Sequence, residues 1–183
     1  MPEGSPARVF FAYRQQEAGE QEIRREISHM DDKSFRMFEL ATQGFGCSQI
    51  LAQMALEELG RSNPDLVRAM SGLLTGMSCG KVCGALTGAC CVLGLYAGKG
   101  TQEEHADPRL DLMLNQLVEW FEAEYTPLYG GIDCDAIVGD DPKLRLARCP
   151  QIVAATFEKV QQVLAENGYI LSQQRSSASE EDS

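Results

Sequence analysis

From Lys33 onward, apolar residues return at helical intervals with polar residues between them. Phe35, Phe38, Leu40 and Ala41 make one apolar face, which Gly44-Phe45-Gly46 ends. Ile50, Leu51, Met54, Ala55 and Leu59 recur at steps of three and four, predicting a helix over residues 47–59. Asn63-Pro64 opens a short helix to about residue 70. Asp107-Pro108 places a capping carboxylate before a proline, whose fixed φ suits the first helical position. Behind that pair Leu110, Met113, Leu114, Leu117, Val118 and Phe121 line one face of a long helix. Tyr129-Gly130-Gly131 breaks it, Asp133 can cap a short helix to Ile137, and Asp141-Pro142 repeats the cap-and-proline signal. The last helix reads from Cys149-Pro150 through Ile152, Val153, Thr156, Phe157, Val160, Val163 and Leu164 to Asn167-Gly168. No stretch alternates with the period of a strand.

Glycine falls at every fourth position from Gly72 through Gly76, Gly80 and Gly84 to Gly88. One helix through all five would lose about 1 kcal/mol per Gly against Ala, and its stripe would drift ~40° per step. Residues 72–80 are therefore expected as a Gly-rich loop, with a central helix from about residue 80 or 81 to 96. Inside that helix Gly84 and Gly88, flanking Ala85, leave a groove for another helix or a bulky cofactor. The expected fold is all-α: a compact bundle of four to five main helices with the Gly-rich loop before the central one. Residues 33–168 make one four-cysteine domain. Residues 1–32 form an N-terminal extension with a short helix near 17–27, and residues 169–183 an acidic tail expected to be disordered.

Composition narrows the function. The chain has 183 residues, one domain's worth, and a net charge of −11. That balance argues against nucleic acid or anionic lipid as a partner, since either demands a basic face. Residues 69–98 carry one charge, Lys81, but seven glycines interrupt them, so no membrane insertion is expected. The N-terminus shows no basic segment leading into a long apolar run, and a cytoplasmic location is expected. Structural disulfides are rare there. Seven cysteines then read as metal ligands or redox groups.

No two cysteines are spaced C-x-x-C, and His29 and His105 are the only histidines. Zinc-ribbon, haem-attachment and thioredoxin-like motifs are thus missing. Position is more informative. Cys47 opens a helix after Phe45-Gly46, Cys83 sits in the first turn of the central helix, and Cys134 follows the capping Asp133. Cys149, before Pro150, reads as the N-cap of the final helix. Unpaired N–H groups and partial positive charge at such ends favour thiolate. If the four ends converge, they form a pocket for a cation or an anionic cluster. Cys90 and Cys91, beside Ala89, Val92 and Leu93, read as small core residues. Cys90 nevertheless shares a helix face with Cys83, and Cys79 precedes Cys83 by four, so either could add a thiol. Trp120, Phe121, Tyr125, Met37, Met54 and Met113 read as core, and the histidines as solvated. No acid pair, phosphate loop or serine nucleophile is present.

Cys83-Gly84-Ala85-Leu86-Thr87-Gly88, with one cysteine upstream and two downstream, resembles the C-GCAxxG-C-C family of redox-active proteins, and most closely its subgroup from sulfate-reducing and related anaerobic bacteria. Cys47, Cys134 and Cys149 match the other three family positions; Cys79, Cys90 and Cys91 do not. The resemblance implies an α-helical fold and a redox role for the four matching cysteines. A similar domain in split-Soret cytochromes holds a 2Fe–2S cluster on four cysteines, and no haem motif accompanies it here. The leading expectation is therefore an accessory redox protein, not a stand-alone enzyme, whose Cys47, Cys83, Cys134 and Cys149 ligate a 2Fe–2S iron–sulfur cluster and pass electrons to a partner protein. Three alternatives stand beside it: a metal-free thiol–disulfide protein, a four-cysteine zinc module, and a helical interaction domain. Homo-oligomerisation is left open.

Overall fold

A computed structural model describes residues 32–169. The expected helix near residues 17–27, and all but the edges of the extension and the acidic tail, lie outside the described residues. Seven α-helices follow one another among them: α1 Asp32–Thr42, α2 Cys47–Glu58, α3 Pro64–Ala69, α4 Gly84–Ala97, α5 Leu110–Tyr129, α6 Cys134–Ile137 and α7 Pro142–Glu166. The all-α expectation holds. A 3-10 turn, Met70–Leu73, and an irregular turn, Gly76–Gly80, fill the gap between α3 and α4.

The chain divides into two compact units after Glu39. Of the first unit, the described part is the opening of α1, where Arg36 pairs with Glu39 at 3.1 Å. The apolar face of α1 differs from expectation. Met37 and Leu40 are buried, whereas Phe35 and Phe38 are 40% and 48% exposed.

In the second unit α4 is the central helix, packed against α2, α5 and α7. Its small residues make this possible. A Cβ on Gly88 would come within 2.7 Å of Ser48 Cα, so α2 and α4 meet backbone to backbone. Met113, Leu117, Phe121 and Tyr125, four apart along α5, are all buried against this centre. From α7 it receives Ile152, Val153, Phe157, Val160, Val163 and Leu164. Trp120, read as core, is only half-buried and meets Phe121 and Tyr125 edge-on.

Start signals worked where a side chain makes the cap. Asn63 Oδ1 accepts from Leu66 N at 3.0 Å, and Asp141 Oδ1 accepts from Lys143 N at 2.8 Å. Asp107 Oδ1 accepts from Arg109 N at 2.8 Å, just ahead of α5. Two boundaries are corrected. The central helix starts at Gly84, not residue 80 or 81, because Lys81–Cys83 is drawn into a short antiparallel pairing described below. The final helix starts at Pro142, not Cys149, and runs on through Pro150. Residues 143–148 are strong helix formers behind a good cap, and Pro150 forfeits only the bond to the carbonyl of Leu146, a residue 79% exposed. No helix among the described residues is long and apolar enough to cross a membrane.

Candidate functional site

Two chain segments distant in sequence are joined by one bridge, Val82 against Asp133. Cys83 N donates to Ile132 O at 3.0 Å, and Cys134 N donates to Lys81 O at 2.8 Å. Because alternate residues of an extended segment point to one face, this pairing sets Cys83 and Cys134 on the same side. Immediately after it each chain turns helical: Cys83 is the N-cap of α4, and Cys134 opens the single turn of α6.

Cys47 reaches the same place from α2. Gly46 precedes it in an extended conformation, and its N–H donates to Gln49 Oε1 at 3.2 Å, fixing the helix start. The Cys47 sulfur lies over Gly84, where a Cβ would come within 2.7 Å of it and of Leu73 O. Gly84 is thus the opening that admits Cys47 to the central helix. Gly88, one turn on, serves helix packing instead, and Ala85 is buried beside both.

Cys149 arrives from α7, about two turns into the helix and not at its N-cap. Arg148 anchors that stretch: its guanidinium donates to Ile137 O at the end of α6 and lies 4.8 Å from the centre of the Tyr129 ring. The last wall is the turn after α3. Thr75, Met77 and Ser78 hold left-handed φ of 51°, 59° and 57°, a conformation that costs non-glycine residues about 1–3 kcal/mol each. Thr75 thereby turns its amide toward Cys47.

The four thiols feel one another. Ionised Cys83 is repelled by Cys47 and Cys134, Cys149 by Cys47 and Cys134, and Cys47 by Cys134. Burial is the larger effect. It pushes Cys83 up to about 12 and Cys149 up to about 11, and raises Cys47 and Cys134 as well. The amides of Ser48 and Thr75 oppose this at Cys47, and those of Ala85 and Leu86 at Cys83, without overcoming it. The expectation that helix ends hold these groups as thiolates is therefore corrected. Desolvation outweighs the helix ends.

The remaining cysteines stand apart. Cys79 is exposed in the irregular turn, its sulfur 3.2 Å from Gly76 O. The core reading of Cys90 and Cys91 is corrected, since Cys90 is half-buried and Cys91 exposed. Two neighbours were not read from the sequence: the Thr75 turn, whose backbone no side-chain pattern announces, and Arg145, whose charge favours the thiolates of Cys134 and Cys149. Arg145 stands one turn before Cys149, a signal hidden by starting the last helix too late. All seven cysteines are free, and among the described residues no three of His, Cys, Asp and Glu stand in a metal-holding arrangement.

What these features define is an all-α protein in which α2, the start of α4, α6 and α7 each carry one of four free cysteines, Cys83 buried and Cys47, Cys134 and Cys149 half-buried. The family model described as "Putative redox-active protein (C_GCAxxG_C_C)" matches residues 45–163, which include all four. The chain belongs to this family of redox-active proteins. No curated protein and no solved structure matches it.

Proposed function

We propose that Cys47, Cys83, Cys134 and Cys149 together hold an iron–sulfur cluster of the 2Fe–2S type, and that the chain exchanges single electrons with a partner protein. One observation carries the reading: the backbone pairing of residues 81–83 with 132–134 sets Cys83 and Cys134 on one side, and the Cys47 sulfur lies over Gly84 beside them. Four cysteine sulfurs are the donor chemistry that such clusters take. Burial fits the same role. A neutral, desolvated thiol is a poor attacking group for disulfide exchange, whereas a bound soft cation displaces its proton and compensates the charge. When bound, the cluster supplies a one-electron couple; the chain supplies ligands, backbone amides near the sulfurs and shelter from water. A reducing, cytoplasmic setting suits seven free cysteines.

Anaerobic purification with iron and acid-labile sulfide assays, visible spectra and electron paramagnetic resonance tests the proposal. Two irons and two sulfides per chain, lost when any of the four cysteines becomes serine, are expected. A colourless, iron-free protein after anaerobic reconstitution overturns it. One equivalent of zinc on the same four residues transfers the site to a structural role.

A further inference from the structure

We propose that the first two turns of α7, residues 142–149, form a hinged flap that swings between Gly139 and Pro150, carries Cys149 into and out of the site, and is latched shut by Arg148. The inference rests on the four cysteines forming one site, as proposed above, but not on what they hold.

Burial along α7 sets the flap apart. Every buried residue of this helix, from Ile152 to Leu164, follows Pro150, and none lies among residues 142–149. Within the flap Leu144, Arg148 and Cys149 are half-buried and the rest exposed, Leu146 by 79%. Apolar packing therefore holds the helix beyond Pro150 and leaves its opening without an anchor in the core.

Both ends of the flap are built to bend. Proline has no N–H, so the carbonyl of Leu146 receives no bond from residue 150, and the helical ladder is interrupted between flap and remainder. At the other end the link from α6 passes through Gly139 at φ 51°, a left-handed conformation that glycine takes without strain. Along the same link Asp141 N reaches Val138 O at 3.4 Å, a long bond. Hinges are commonly a few element-terminal residues of this kind.

What closes the flap is Arg148. Its guanidinium donates to Ile137 O, at the end of the short helix that Cys134 opens, and lies 4.8 Å from the centre of the Tyr129 ring. Among the described residues, these are the side-chain hydrogen bond and the ring contact that join residues 142–149 to other elements. Arg148 immediately precedes Cys149, so its release frees the cysteine as well. One charge-assisted bond with one cation–π contact is strong enough to fasten two helical turns and weak enough to open.

Hydrogen exchange of the full-length, metal-free protein, read by NMR at residues 146–149 and 152–164, tests the flap. In the wild type, residues 146–149 are expected to exchange about tenfold or more faster than the buried positions of 152–164. R148M should speed residues 146–149 by about a further tenfold, the scale of losing a hydrogen bond from a charged group, and leave 152–164 unchanged. R148K, which keeps a cationic donor, should restore the wild-type pattern. P150A supplies the missing N–H without changing any charge. It should slow both exchange at residues 146–149 and alkylation of Cys149 by N-ethylmaleimide, while exposed Cys91 reacts as before. Exchange of α7 as one unit in the wild type overturns the proposal. So does an R148M acceleration spread evenly over the helix, which marks Arg148 as a general stabiliser, or a P150A variant without effect on residues 146–149. Should the four cysteines bind no iron, the cluster reading falls alone, and the exchange pattern still decides the flap.

Discussion

Gly84 is the residue on which the site's geometry turns. A methyl group there would lie 2.7 Å from both Cys47 Sγ and Leu73 O, one a proposed ligand and the other a backbone atom that cannot swing away. Gly84→Ala is therefore expected to destabilise the protein by about 1–3 kcal/mol and to lower the iron retained after reconstitution. Urea midpoints and iron-to-protein ratios measure both, and wild-type values for the pair would refute the packing argument. At this scale the sequence was informative about Cys47, Cys83 and Cys134, because each follows an interpretable helix start. It was misleading about Cys149. Pro150 looks like a first helical residue, and only the prior cap at Asp141 reveals that the helix is already under way. Arg145 was lost with the same misreading.

At the scale of elements, most helix starts were legible, whether a side chain caps them, as at Asn63, or none does, as at Gly46. Asn63-Pro64 and Asp141-Pro142 each begin a helix where expected. The start of α4 was missed by three residues because Lys81–Cys83 pairs with residues 132–134, a long-range choice with no local signature. The Gly72–Gly80 segment was recognisable as a break, but not as a wall whose left-handed Thr75, Met77 and Ser78 are held by their surroundings. Ser48 is one such hold. Fully buried, it donates from Oγ to Met70 O at 2.7 Å, tying α2 to the 3-10 turn that leads into the wall. Ser48→Ala leaves that carbonyl without its partner. A loss of about 1–3 kcal/mol in urea denaturation is expected, with hydrogen exchange accelerating at Thr75 and Gly76. Unchanged exchange there would show that the wall stands without this tie.

For the whole molecule, composition said little of what the site is made of. The charge of −11 gave no hint that partial or full burial raises the pKa values of the Cys47, Cys83, Cys134 and Cys149 thiols. Those thiols make stability depend on alkali. Their folded pKa values lie above the ordinary thiol value of 9.0, reaching about 11 at Cys149 and about 12 at Cys83. The folded chain consequently binds more protons than the unfolded one in this window. Stability of the metal-free protein is expected to be fully present below pH 9 and to decline as pH rises toward 11 and 12. Urea midpoints across pH 7.5–10.5 would read the slope, and Cys83→Ser should flatten it. A level profile would mean that the thiols are solvated and the pocket open.

The bridge between Val82 and Asp133 also governs when the pocket can come into being. It closes a loop that contains all of α4 and α5, and Cys149 lies further along still. Loop closure of that span is among the slower steps available to a helical chain, since local turns form long before distant segments meet. During synthesis, residues 47 and 83 leave the ribosome before residues 134 and 149. The meeting of Cys134 with Cys83 is thus a late event of folding.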